Sequence, residues 1–360
     1  MSTAANEKGH AIRRRLAGAL AFRNISALYI LAAMVVLFSV TAPETFPTID
    51  TVRIILNDQA ITAVLAVALT VPLAAGLIDL SIGAQLGLGA ILVAWLLSVQ
   101  GAGLGVSLVV TLAVGAGVGL LNGLLITRAR ISSFITTLGS SSILLAGISW
   151  ISKDAQILDL GDGFQAIANH QVFQIPLSVY FMVGIAVAVW YVIDRTHAGR
   201  AVYATGGNPE AARLAGVRTD RVVILTLVCC GVLAATAGIL LSSSLATGDP
   251  TVGPGYLLPA FAAAFLGSTQ FRNGRFNVLG TVVAVYVLAI GVKGLQLSGA
   301  PVWIPELFNG VALLVAVAAN RRQASARRVR KDKPGTPSES TTSSPAKPSP
   351  TTASRTTASA

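Results

Sequence analysis

Long apolar runs almost free of charge recur along this 360-residue chain. An α-helix needs roughly 20 residues to cross a hydrocarbon core about 30 Å thick, and most of the runs approach or exceed that length. They fall at 26–42, 59–75, 82–99, 103–127, 133–151, 177–193, 222–244, a shorter 256–267, 277–297 and 305–319. The pattern predicts an all-α polytopic membrane protein of about ten transmembrane helices, with one short or broken span near 256–267. The 75–82 junction reads as a break between helices. Three domains follow: a basic N-terminus over 1–25, a transmembrane domain over 26–319 with a polar loop at 194–221, and a tail over 320–360. That tail is basic and then Ser/Thr/Pro-rich, so it is expected to be disordered. Arg13, Arg14 and Arg15 ahead of an apolar stretch resemble a secretory signal, but the run is long for a signal core and Pro43 is a poor residue after a cleavage site. An uncleaved first span is the expectation.

Composition removes the soluble alternatives. The chain is 53% hydrophobic and 11% charged, against about 25% charged in an ordinary globular domain. The formal net charge of +11 would fit nucleic acid or an anionic membrane, and the placement of the cations decides between them. With the ten spans alternating from a cytoplasmic N-terminus, five cations fall before the first span, two after the fourth, five in the 194–221 loop, two in the 268–276 loop and nine in the tail. Arg53, Lys153 and Lys293 are the exceptions. This positive-inside asymmetry predicts cytoplasmic N and C termini. The cations of the tail lack the aromatic companions of a nucleic-acid surface, so lipid headgroups are the expected partner and nucleic acid is not.

Ionisable residues inside membrane spans mark chemistry because they are costly there, and this chain has few. Asp79 lies in the break, and Lys293 lies where a long amine reaches water. His10, His170 and His197 fall in loops or at the terminus, and no Gly-Lys pair is present to build a phosphate-binding loop. No catalytic residue and no metal site is expected. Asp79 or Ser81 can cap the helix after the break. Gly115, Gly119 and Gly123 recur four apart, a spacing that lets membrane helices approach closely. Cys229 and Cys230 read as small buried hydrophobes. Asn57, Gln59, Gln85 and Asn122 are the uncharged polar side chains near the spans, each able to line a path or to bond helix to helix.

The 194–221 loop carries a helix signature. Asn208 suits the N-cap, Pro209 the first helical position, Glu210 the positive helix end, and Gly216 a left-handed stop. About two turns are expected, with Ala211, Ala212, Leu214 and Ala215 as a small apolar knob between Glu210 and Arg213. Such a knob suits a groove in a partner, or the helix only connects two spans.

Four segments resemble, in order, the membrane permease subunit of ribose-type bacterial ABC importers. They are Gly76 to Gly83 (GLIDLSIG), Gly119 to Ser140 (GLLNGLLITRARISSFITTLGS), Gly199 to Val217 (ending TGGNPEAARLAGV) and Gly248 to Ser268. The resemblance runs from about residue 25 to residue 320. It implies a multi-pass permease of the bacterial plasma (inner) membrane, paired with a second permease copy or a related chain. It also implies solute delivery by an extracytoplasmic binding protein and two cytoplasmic ATPase subunits that bind the ATP-Mg, the permease itself holding no cofactor and not being an enzyme. Residues Asn208, Pro209, Glu210, Ala211, Arg213, Leu214 and Gly216 become the helix that seats in the ATPase, and Asp79 and Ser81 come near the translocation path or gate. The solute expected is neutral and hydroxylated. The alternative is a secondary transporter with broken helices, which needs an ion or proton site near mid-membrane; Asp79 is its one serious candidate.

Overall fold

A computed structural model describes residues 26–270, 274–301 and 303–331. The N-terminal 1–25 segment and the tail beyond Lys331 lie outside the described residues. The described residues are mostly helical: α1 Ser26–Thr41, α2 Ile49–Ala74, α3 Ile82–Ala94 prolonged by a π turn at Trp95–Val99, α4 Leu104–Thr127 and α5 Ser133–Ser152 come first. After a short α6, Asp162–Asn169, and a two-residue hairpin of β1 (Gln171–Val172) and β2 (Ile175–Pro176), follow α7 Leu177–Arg195, α8 His197–Gly207, α9 Pro209–Leu214 and α10 Thr219–Leu245. A 3-10 turn at Gly253–Tyr256 leads into α11 Leu257–Ser268, then α12 Val278–Leu297 and α13 Ile304–Lys331.

Among the described residues, seven helices are long and apolar enough to cross a membrane: α2, α3 with its π turn, α4, α5, α7, α10 and α12. The other expected spans are shorter helices, the apolar parts of α1 (Tyr29–Thr41) and α13 (Ile304–Asn320) together with the 12-residue α11. The short span expected near 256–267 is therefore α11, entered through a tight turn at Pro254. Two boundaries differ from the sequence pattern. α2 begins well before residue 59, because the Thr48 hydroxyl accepts the Thr51 N–H and starts the helix in a polar stretch. α13 runs past Asn320 to Lys331, where disorder was expected; Ala, Arg, Gln and Lys are good helix formers, and the next proline is Pro334.

The centre of the bundle is α2, whose positions from Ala60 to Ala74 are all buried, wrapped by α10, α11, α12 and α7. α4 crosses α10 with the two backbones in close approach. A Cβ added to Gly115 would lie 2.6 Å from the Gly231 carbonyl oxygen, one on Gly119 2.3 Å from that of Leu227, and one on Gly123 2.8 Å from the Ile224 Cα. The glycine stripe is thus a seam along which two backbones touch. Between lipid-solvated helices such contact is a main source of association energy, since lipid tails are as apolar as the side chains they would replace. Gly117, on the opposite side of α4, has nothing within 4 Å.

Candidate functional site

α2 ends at Ala74, and its next residues do not continue as a helix until Ile82. Gly76 takes a φ of +80°, and the Leu77 N–H turns back to the Pro72 carbonyl at 2.9 Å. A break inside a bundle leaves backbone groups that lipid cannot satisfy, and α5 supplies the partners. The Ser133 hydroxyl accepts the Ile78 N–H at 3.3 Å, and the Thr137 hydroxyl accepts the Leu80 N–H at 3.0 Å. Ser133, Thr137 and Ser140 lie at i, i+4 and i+7, on one face of α5, and Ser140 donates to Asn122 Oδ1.

Asp79 is fully buried at this break. Its Oδ1 accepts the Ser81 N–H at 2.9 Å and the Ser81 hydroxyl at 2.6 Å, and its Oδ2 accepts Gln85 Nε2 at 3.3 Å. The Ser81 oxygen in turn accepts Gln85 Nε2 at 2.7 Å and Asn122 Nδ2 at 3.2 Å. One polar chain therefore runs Asp79–Ser81–Asn122–Ser140, from the break through α3 and α4 to α5. The expected cap has a different form: Ser81 occupies the N-cap of α3 but makes no side-chain capping bond. Its hydroxyl is spent on Asp79, which binds the cap residue rather than the helix. Gln85 Oε1 points at the α4–α10 seam without a partner.

Of the other polar candidates, Asn57 accepts the Ser178 hydroxyl at 2.8 Å and so ties α2 to α7. Gln59 lines a separate cavity of about 130 Å³ with Thr62, Tyr256 and Asn309. Four of the six candidates thus meet in one network and two stand apart. Sequence reading missed Ser133, Thr137 and Ser140, although their spacing was a signal. Cys230 is buried as expected, but Cys229 is half-exposed and lines a cleft.

The 194–221 loop folds into two helices. α8 was not expected; Thr196 caps it by accepting the Gly199 N–H. α9 is shorter than two turns, at six residues. Its ends follow the signature: Asn208 Oδ1 accepts the N–H groups of Glu210 and Ala211, each at 3.0 Å. Gly216, at φ +86°, closes the C-terminus while Val217 N–H returns to the Ala212 carbonyl at 2.9 Å. The knob is divided. Ala212 is buried against the loop, whereas Leu214 projects with 91% of its surface exposed. Glu210 is exposed, and Arg213 reaches back to Asp220 at 3.7 Å and to the Thr219 hydroxyl at 3.3 Å.

α8 and α9 bear directly on the break. A Cβ on Gly206 would lie 2.2 Å from the Ala74 carbonyl oxygen, and one on Gly76 would lie 3.4 Å from the Gly206 Cα. Beside this contact lies a polar cavity of about 490 Å³ with Arg130, Pro209 and Arg213 among its walls. α9 is joined to Gly206, and so to its contact with the end of α2, by two residues of chain.

Residues 51–318 match the family described as branched-chain amino acid transport system / permease component. The ribose import permease protein RbsC of Bacillus subtilis (strain 168) is 34% identical over 295 residues, covering 81% of this chain and 91% of that protein. RbsC of Escherichia coli (strain K12) is 30% identical over 306 residues, 84% and 94% of the two chains. The autoinducer 2 import system permease protein LsrD of Yersinia pseudotuberculosis (strain IP 31758) is 29% identical over 271 residues, 74% and 81%. No solved structure gives a significant match. The apolar helices and these likenesses agree on a multi-pass bacterial inner-membrane protein that transports rather than catalyses, working with ATPase and binding-protein subunits as such importers do. The chain belongs to the ribose-type permease subunits of bacterial ABC importers.

Proposed function

We propose that this chain forms the translocation path for a neutral hydroxylated solute, a sugar or sugar-like molecule, in an importer driven by ATP on a separate subunit. Two permease copies enclose the path, with N and C termini cytoplasmic. An extracytoplasmic protein delivers the solute, and α9 docks on the ATPase, where ATP-Mg is bound and hydrolysed. Leu214, Glu210 and Ala211 offer the contact, and Asn208, Pro209 and Gly216 hold the helix that presents them.

The observation that carries this reading is the contact of Gly206 with Ala74 and Gly76, which joins the docking helix to the break in α2. ATP-driven closure of the ATPase pair moves α9, and through Gly206 it moves the break and the Asp79–Ser81–Asn122–Ser140 chain. The solute class follows from the buried side chains. Asp79 is the one charged side chain buried among the described residues, and both its oxygens already accept internal donors. The remaining buried polar side chains are Ser, Thr, Asn and Gln, which suit hydroxyl groups. The names of the relatives, ribose and autoinducer 2, favour the same class.

A branched-chain amino acid, the solute in the family description, would bring an ammonium and a carboxylate into a path with no buried charge free to pair them. The test is competition for binding-protein-dependent uptake into vesicles holding the assembled importer. Unlabelled neutral sugars and polyols are expected to compete, and leucine and valine are not. Competition by the amino acids alone would overturn the solute class.

A further inference from the structure

The docking assembly does not use the cleft behind it. α7, α8 and α10 diverge at the end of the bundle that carries the 194–221 loop and leave a cleft of about 320 Å³. Its walls are apolar: Val189 and Val192 of α7, Ala201 of α8, Leu225 and Cys229 of α10, with Val71 of α2 as floor. The cleft lies alongside spans that cross lipid, and Val192 and Leu225 stand exposed at its edge. The helices that bound it carry exposed cations beside its lining residues: Arg195 closes α7, Arg200 lies between the lining residues Gly199 and Ala201 of α8 and bonds to His197 Nδ1 at 2.6 Å, and Arg218 and Arg221 stand at the start of α10 next to Val222. Asp194 and Asp220 are the acids in the same stretch; Asp220 pairs with Arg213, and Arg195 stacks over Trp190 at 5.3 Å.

We propose that this cleft is a binding site for a single anionic phospholipid, with one acyl chain between α7 and α10 and the headgroup among Arg200, Arg218 and Arg221. Both halves of the ligand are matched. The apolar cleft excludes a water-soluble anion, and the arginines distinguish an anionic headgroup from a zwitterionic one, each cation adding attraction near a lipid surface. The position gives the site a consequence. α8 forms one wall and carries Gly206 near its C-terminal end, so an acyl chain in the cleft braces the helix that presses on Ala74.

Native mass spectrometry of the full chain, released from detergent after incubation with equimolar phosphatidylglycerol and phosphatidylcholine, tests this. The wild type is expected to retain one phosphatidylglycerol per chain, with a preference on the order of tenfold. R200A/R221A is expected to lose the preference. A188W, which fills the cleft from the α7 wall, is expected to lose retention of both lipids while its thermal unfolding shows it folded. Equal retention of the two lipids by the wild type, or a preference that survives both variants, would overturn the proposal. So would a conversion of dimer to monomer by A188W, since a second copy of the chain would then be the occupant. Should A188W not fold, V192W fills the same cleft from an exposed edge position and is read identically.

Discussion

Gly206, near the end of α8, lies so close to the carbonyl of Ala74, the last residue of α2, that no side chain fits between them. A methyl group there would stand 2.2 Å from the oxygen, so even alanine must push the two elements apart. Overpacking of this kind costs about 1–3 kcal/mol. Gly206→Ala is expected to lower the unfolding temperature and to weaken the link between ATP hydrolysis and uptake. Gly207→Ala, with nothing within 4 Å of the new atom, is the matched control and should leave both near wild type.

The α4–α10 seam gives a second paired test. Gly119→Ala puts a methyl 2.3 Å from the Leu227 oxygen, while Gly117→Ala meets open space. The first should lose roughly 1–3 kcal/mol or more of stability. The second should be neutral or gain up to about 1 kcal/mol from helix propensity. Thermal unfolding in detergent reads both.

Asp79 gathers donors from the Ser81 N–H and hydroxyl and from Gln85. Asp79→Ala leaves those donors buried and unmatched, at a cost of about 1–3 kcal/mol for each group left without a partner. Asp79→Asn keeps an acceptor oxygen and should be milder. Under the importer account Asp79→Asn still transports when ATP is supplied. An ion-coupled carrier relying on Asp79 would lose all transport, so the initial uptake rate of this variant separates the two.

Leu214 tests docking without touching the fold, because its side chain contacts little of its own chain. Burying a leucine in a partner contributes about 1.5–3 kcal/mol, so Leu214→Ala should weaken ATPase binding by roughly tenfold to a hundredfold with unfolding unchanged. Glu210→Ala should have a smaller effect. Arg213→Ala mixes two losses, since Arg213 also holds Asp220 and Thr219.

Much of this was legible in the residues. Apolar run length located the seven described helices long enough to cross a membrane and the three shorter ones at the remaining runs, and the Asn208-Pro209-Glu210 signature with Gly216 marked both ends of α9. The glycine spacing of α4 named the seam but not its partner, because a small residue says that something comes close and not what. Asp79, Ser81, Gln85 and Asn122 could be named separately, yet their convergence depends on the α3–α4 and α4–α5 packing, which no local pattern encodes. α8 was missed for a related reason. Its start rests on Thr196, an ordinary cap, and Gly199 is placed by contact with the Ile193 backbone rather than by periodicity. The early start of α2 and the late end of α13 share one cause: hydropathy marks where a helix meets lipid, whereas capping and propensity decide where it stops.

Asp249, in the loop after α10, accepts the Thr251 N–H at 2.8 Å, the Thr251 hydroxyl at 2.7 Å and Gln156 Nε2 at 2.7 Å. The Thr251 hydroxyl and N–H hold its carboxyl below the usual value. A folded-state pKa that is depressed contributes stability above the ordinary carboxylate value of about 4 and loses it as pH falls through the folded value. Unfolding measured between neutral and acidic pH should show this loss in the wild type and not in Asp249→Asn, and the difference should be small because the group meets solvent.

The claim that this chain is the passive path of an ATP-driven importer is tested most directly by solute uptake into proteoliposomes of defined composition. Uptake is expected only when the permease, its ATPase, the loaded binding protein and ATP are all present, with no response to an imposed proton or sodium gradient. Concentrative uptake by the permease alone, driven by either gradient, would contradict it.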